Sequence, residues 1–238
     1  RLRKSWENRR GQMITGRFDF CVSERGVKVY EYNADSASCH MEAGRVQGKW
    51  AQHFGVTEGE DSGAGIAGAL VSAWREAGVQ GVLHIMQDND QEEAYHAQFM
   101  RAAAESAGIS CKVLKGLTGL GWNQAGEIID PDGTAIRFVW KTWAWETALD
   151  QIRAECEDDD SHPVLRSADD AHPSPRLVDV LLRPDIVVFE PFWTLIPSNK
   201  AILPVLWQIF PDHPYLLNSR FELTEDFNQR GYVSKPIA

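Results

Sequence analysis

The sequence predicts an α/β fold: an N-terminal β-hairpin followed by a largely parallel sheet with helices on its faces. Three observations carry this. "MITGRFDF" and "VKVYEYN" alternate apolar and polar residues at period two, as half-buried strands do. Short apolar runs then alternate with helical stretches, the rhythm of parallel strands joined by crossover helices. The 238 residues, 43% of them hydrophobic, suffice for the core of one large domain or two small ones.

In chain order, Arg1 to Arg10 is a basic, helix-like run. Between the first two strands, a three-residue loop Glu24-Arg25-Gly26 is expected to close the hairpin, with Gly26 left-handed and Ser23 opposite Val27. That register pairs Asp19 with Glu31 and Arg17 with Asn33. Alternation puts these four on one face. Phe18, Phe20, Tyr30 and Tyr32 then form the other, the expected core face. "ADSASCHMEAGRVQGKWAQHFG" reads as a helix capped by Asp35 or Ser36 and ended by Gly55. "EGEDSGAG" is an acidic loop. "GIAGALVSAWREAG" is helical, "GVLHIMQ" a buried strand and "EEAYHAQFMRAAAESAG" a helix. "ISCKVLKGL" and "IRFVWKTWAW" are strands, "RLVDVLL" a short helix and "DIVVFEPF" a strand. "ECEDDDSHPVLRSADDAHPSPR" is an acidic surface loop. No internal repeat is visible.

The formal net charge of −10 argues against broad nucleic-acid or anionic-membrane binding and permits a cationic partner. The four cysteines, Cys21, Cys39, Cys111 and Cys156, form no CxxC pair and read as free thiols in a reducing compartment. No secretory leader or bilayer-length apolar run is visible, so the expected location is cytoplasmic, with no membrane partner. A homo-oligomer is compatible with all of this. The chain begins without Met and stops at "VSKPIA", as a piece of a longer protein would.

Asp19 opposite Glu31 is a like-charge cross-strand pair, unfavourable without a neutraliser. Asp19, Glu31 and Asn33 offer two carboxylates and an amide oxygen, donors suited to Mg²⁺ shared with a phosphate. Arg17 beside them can meet an anion bidentately. The alternative is that Arg17 alone neutralises the two acids on a solvated face. "QDNDQEEAYH" follows a strand and opens a helix, where open α/β sheets place ligands. Asp90 and Glu93 there can form a capping box, which would account for Glu93 without a ligand. A bound amine is the functional alternative for Glu92 and Glu93.

"VWKTWAWETALDQI" places Lys141, Thr142, Glu146 and Thr147 among three tryptophans, mainly as a core strand entering a helix. Thr142 and Thr147 could also meet a carboxylate or amide. Lys200 and Lys235 sit in apolar settings, where a lysine either snorkels or holds a phosphate as a point charge. GxxxxGK[ST] and GxGxxG are both absent, excluding a P-loop and a dinucleotide fingerprint. Cys39 next to His40 makes no dyad, because helical neighbours point apart.

"MITGRFDF", "KVYEYNADSASCH", "HIMQDNDQEEAYHAQFM", "VWKTWAWETALDQI", "LLRPDIVVFEPFWTLIPSNKAILP" and "GYVSKPIA" together resemble the synthetase part of the bacterial glutathionylspermidine synthetase/amidase family. The resemblance runs over essentially the whole chain. It implies a pre-ATP-grasp-like α/β region leading into an incomplete ATP-grasp fold. Residues 1–56 would form the hairpin and helix with the metal site, 57–190 the α/β region and 191–238 the start of the ATP-grasp lobe. It implies ATP as co-substrate and Mg²⁺, expected as a pair of ions. It also implies a ligase that joins the glycine carboxylate of glutathione to the amine of spermidine through an acyl phosphate.

By the same resemblance, Arg17 stabilises the transferring phosphoryl group, and Asp19, Glu31 and Asn33 are magnesium ligands, Asp19 and Arg17 also meeting ATP. Ser36, Glu92 and Thr147 correspond to glutathione contacts, with Thr142 and Ser38 beside them. Glu93 corresponds to a polyamine-binding acid, and Lys200 and Lys235 to ATP-binding lysines. The family's cysteine amidase domain and the C-terminal part of its synthetase have no counterpart in this sequence, so the chain alone is expected to be inactive. The alternatives are a related ATP-grasp ligase with another amine or peptide, a non-catalytic polyamine-binding module, and a metal-dependent hydrolase.

Overall fold

The computed structural model describes residues 1–8, 13–156, 165–169 and 174–237; side chains of 154–156 and 228–230 are not described. The basic N-terminal run forms helix α1, Leu2–Glu7. Trp6 meets Trp193 edge-on at 5.1 Å, and the Trp193 N–H donates to the Ser5 hydroxyl. Most of the predicted acidic loop at 155–176 lies outside the described residues.

Strands β1 (Arg17–Ser23) and β2 (Gly26–Asn33) form the expected antiparallel hairpin. Its turn differs from expectation. Ser23 pairs with Gly26, not Val27, so two residues rather than three close the loop. Gly26 has φ 90°, the left-handed value expected of it. A bulge then intervenes between Asp19 and Phe20, leaving Tyr30 as the extra residue on β2. It shifts the register by one and restores the expected Asp19–Glu31 and Arg17–Asn33 pairs.

The faces of the hairpin are also reversed in role. Phe18, Phe20 and Tyr30 are exposed, at 50%, 53% and 43%, so the aromatic face is not core. Phe18 stacks on Tyr32 at 4.0 Å and on Phe20 at 5.8 Å. The polar face is the half-buried one. Alternation separates two faces but does not say which one turns toward the body of the protein. Residues 214–216 lie along the other edge of β2, where Lys28 Nζ donates to the carbonyls of Pro214 and Leu216 and the Val29 N–H to that of Tyr215.

The helix expected from Ala34 starts only at His40. It runs through a π-helical stretch, Glu42–Val46, into α2, Gln47–His53. Neither Asp35 nor Ser36 caps it. Asp35 is instead buried and caps a different helix, as described below. Gly55 ends the helix at φ 64°, as expected.

The main sheet holds four parallel strands in the order β4 (Ser110–Lys115), β3 (Val82–Gln87), β7 (Phe138–Lys141) and β8 (Val187–Phe189). Helices α3 (Ile66–Glu76) and α4 (Gln91–Ser106) cover one face. There Leu83, Ile85, Trp140 and Phe189 pack on Leu70, Trp74, Ala97 and Met100. Helices α5 (Trp145–Cys156) and α6 (Leu177–Leu181) cover the other, against Met86, Val139 and Val188. Successive strand residues thus feed opposite cores, which explains the near-continuous apolar runs. Trp140 and Trp145 are core residues, as their setting suggests.

A short hairpin of β5 (Gly121–Trp122) and β6 (Ile128–Ile129), too brief for a periodic signal, lies beyond β4. After β8 the chain forms α7 (Leu195–Ser198), α8 (Ile202–Ile209) and α9 (Glu225–Arg230). No helix among the described residues is long and apolar enough to cross a membrane.

Candidate functional site at the hairpin root

The expected cross-strand polar set is assembled. Arg17 Nε and Nη2 reach the two oxygens of Asp19 at 2.8 and 3.2 Å, a fork-on-fork pair. Asp19 accordingly holds the Arg17 guanidinium above its ordinary value. With its oxygen turned toward Arg17, the Asn33 amide accepts from Nη2 at 2.9 Å and donates to Glu31 Oε1 at 3.3 Å. Lys200 Nζ stands 3.9 Å from Glu31 Oε1. The loop between α7 and α8 brings it there, because Ser198 Oγ accepts from the Ala34 N–H at 2.9 Å. Lys200 thereby joins a set 167 residues distant from it in sequence, at Asn33.

Two carboxylates and an amide oxygen share one half-buried face, the donor types a hard cation takes. In the free chain, Arg17 holds both Asp19 oxygens and the Asn33 oxygen, while Asn33 and Lys200 meet Glu31, so a cation would replace some of these partners. Among the described residues, no group of three or more His, Cys, Asp or Glu side chains could hold a metal ion. The donor types suit an ion whose remaining positions a phosphate fills. Asp19, Glu31 and Asn33 would hold it, with Arg17 and Lys200 facing the anion.

A small cavity of about 10 Å³, room for one water, marks the floor of a cleft beside this face. Ser36, Ser38, Glu93 and Thr142 line it, with Lys141 and Glu190 also in its wall. Arg17 Nη1 donates to Ser38 Oγ at 2.8 Å, so one guanidinium touches both the acidic set and the cleft. Ser38 precedes Cys39, which takes the left-handed φ of 70°, rare for a residue with a Cβ. Cys21, Cys39 and Cys111 are free thiols. The Cys156 side chain lies outside the described residues.

Glu93 is not held in a capping box. Asp90 caps α4 by accepting from the Glu92 N–H at 2.8 Å, while the Asp90 N–H donates to Asp88 at 2.7 Å. No return bond from Glu93 is made, which leaves its carboxylate for the cleft. Burial pushes the Glu93 carboxyl up, assisted by Asp88 and Asp90 and opposed by a hydrogen bond with Thr142 and by His96. A cation would relieve that cost.

Three expected residues lie apart from the cleft lining. Glu92 is exposed in the first turn of α4, and Thr147 is exposed on α5. Lys235 is exposed in the C-terminal segment.

Sequence reading missed the buried layer beneath the site. Asp35 Oδ2 accepts from the Trp145 N–H at 2.9 Å, at the start of α5. Lys141 Nζ donates to the carbonyls of Asp35 and Trp143, each at 2.7 Å. Glu190 accepts from the backbone of Ile14 and Thr15. His40 bonds Thr15 Oγ1 and His96 bonds Glu42. Lys141 among tryptophans and Glu190 inside "VVFEPF" were the available signals, since charges in apolar strands need partners.

Residues 1–238 match the family described as Glutathionylspermidine synthase preATP-grasp. The chain is 51% identical over 240 residues to the bifunctional glutathionylspermidine synthetase/amidase of Escherichia coli, covering 100% of this chain and 38% of that one. It is 40% identical over 247 residues to trypanothione synthetase of Crithidia fasciculata, covering 100% and 36%. Glutathionylspermidine synthase of Crithidia fasciculata is 32% identical over 257 residues, covering 99% and 34%. The chain thus spans little more than a third of the length of these relatives. With the match running from end to end, this chain belongs to the glutathionylspermidine synthase pre-ATP-grasp family.

Proposed function

We propose that this chain forms part of an ATP- and Mg²⁺-dependent ligase that joins the glycine carboxylate of glutathione to an amine of spermidine. The observation that carries the reading is the convergence of Arg17, Asp19, Glu31, Asn33 and Lys200 on one face, beside the cleft that holds Ser38 and Glu93. The relatives' names supply the substrate class.

Phosphoryl transfer depends on positioning and charge neutralisation more than on covalent chemistry by the protein. When bound, Mg²⁺ supplies charge neutralisation at the phosphates. Arg17 turns its Nη1 edge, bonded to Ser38 Oγ in the free chain, to the transferring phosphoryl group, while Nε and Nη2 stay braced by Asp19. Lys200 adds a point charge, and Lys235 joins it on the nucleotide. Ser36, Ser38 and Thr142 orient the peptide in the cleft, with Glu92 and Thr147 meeting its extended portion. Glu93 holds the cationic amine. A glutathione carboxylate oxygen attacks the γ-phosphorus and ADP leaves. The amine nitrogen then attacks the acyl carbon, phosphate departs with that oxygen, and the amine gives up a proton.

The test uses the full-length protein. ADP release should require glutathione and spermidine together. Asp19→Ala or Glu31→Ala should abolish it with the fold retained. Equal ADP release without an amine would replace the ligase reading with an ATPase. Wild-type turnover in either variant would refute the metal role. Preference for a different amine in the same assay would favour the broader acid–amine ligase reading.

A further inference from the structure

Two enclosed charges stand at the ends of β7 and β8, and their polar atoms are occupied by main chain. Glu190, 3% exposed, follows β8. Its Oε2 accepts from the Ile14 N–H and its Oε1 from the Thr15 N–H, both at 3.0 Å. Arg17 lies two residues beyond Thr15. Lys141, 1% exposed, ends β7. Its Nζ donates to the Asp35 carbonyl at 2.7 Å and lies 5.0 Å from the centroid of the Trp145 ring. Asp35 follows Asn33 by two residues and is fixed again by the Trp145 N–H.

The two grips therefore fall on the two roots of one hairpin. Glu190 holds the chain entering β1, and Lys141 holds the chain leaving β2. The strand pair nearest those roots is Arg17–Asn33. Enclosing a carboxylate and an ammonium is costly and is a weak source of stability. Burial pushes the Glu190 carboxyl up, opposed by the Thr15 and Ile14 N–H groups and by Lys141, and pushes the Lys141 ammonium down, opposed by Asp35 and Glu190. Accepting two N–H groups on two oxygens suits the carboxylate form of Glu190. Charges kept at such a cost, on main chain two residues from the polar set, point to geometry.

We propose that Glu190 and Lys141 are positioning residues that fix the hairpin root, and with it the Arg17–Asn33 end of the polar set, against the cleft. The functional part of this rests on the ligase reading. Glu190→Gln keeps the volume but offers one acceptor where two N–H groups need them. Lys141→Met keeps the stem and removes the donor.

The test measures both variants in the full-length protein. Below the melting temperature, backbone hydrogen exchange in 13–20 should quicken about tenfold or more in Glu190→Gln, and in 33–38 in Lys141→Met. Exchange in the α3–α4 layer should stay as in wild type. The kcat for ADP release at saturating substrates should fall about ten- to a hundredfold, with a smaller change in KM for glutathione. Unchanged exchange in those segments would overturn the proposal, as would faster exchange with unchanged kcat. Failure of both variants to fold would also overturn it and make the pair purely structural. A wild-type protein without ligase activity sinks the ligase reading instead. The exchange result would then decide the positioning claim alone.

Discussion

The Arg17 guanidinium donates to the Ser38 hydroxyl across 2.8 Å while its other two nitrogens hold Asp19. That bond joins the polar face of the hairpin to the small cavity lined by Ser38 and Glu93. A carboxylate lying along Ser38 would be brought within reach of whatever phosphate Arg17 holds.

Replacing Arg17 by Lys keeps the charge and loses the planar fork that spans Asp19 and Ser38. In the full-length enzyme, kcat for ADP release should drop about a thousandfold, the lower end of what a phosphoryl-stabilising arginine contributes. A loss below tenfold would remove Arg17 from the chemistry.

Glu93 faces the cleft without a cap to hold, so its substitution should act on the cation. Glu93→Gln should raise KM for spermidine about ten- to a hundredfold, the loss of one charge-assisted hydrogen bond. KM for glutathione should move little. Steady-state kinetics with each substrate varied in turn check both halves.

His40 gives a dependence on pH. Burial pushes its imidazole down to about 4 from 6.5, with nearby His96 adding to it. Between those values the unfolded chain binds the proton and the folded one does not. Stability is therefore undiminished above pH 6.5 and is lost as pH falls toward 4, by about 3 kcal/mol in full. His40→Gln should flatten that part of the urea-midpoint profile. Parallel wild-type and variant profiles would contradict it.

Asp130 anchors a second buried network, accepting from Lys112 Nζ at 2.8 Å and His84 Nε2 at 3.2 Å. These bonds and two from backbone N–H groups hold its carboxyl down at about 2, against desolvation. Asp130→Ala leaves His84 Nε2 and the Asp132 and Thr134 N–H groups without their acceptor, while Lys112 keeps Asp132 and Thr134, and should cost about 1–3 kcal/mol in denaturant unfolding. KM for both substrates should stay unchanged, because none of these side chains lines the cleft.

Much of the fold was legible because its signals are local. The run "GVLHIMQ" announced a buried strand, "DIVVFEPF" a strand and "EEAYHAQFMRAAAESAG" a helix, and each is present. The Arg17–Asn33 and Asp19–Glu31 pairs followed from counting back from the turn. The count reached them despite a wrong loop length, because the bulge at Tyr30 compensates. The face that the hairpin buries was not legible, since it depends on Lys200, far away in sequence, and on how the adjoining 34–38 loop turns. Asp35 was read as a local cap and serves α5 instead, a tertiary choice that periodicity does not encode. Tethers such as Glu190 to Ile14 span 176 residues and leave only a charge in an apolar run as their trace.

The acyl phosphate is the step on which the account turns, and oxygen labelling reads it directly. The full-length protein is supplied with ATP, Mg²⁺, spermidine and glutathione carrying ¹⁸O in its glycine carboxylate. Each inorganic phosphate released should carry one ¹⁸O from glutathione. Amide formation with all label left in the peptide or in water would contradict it.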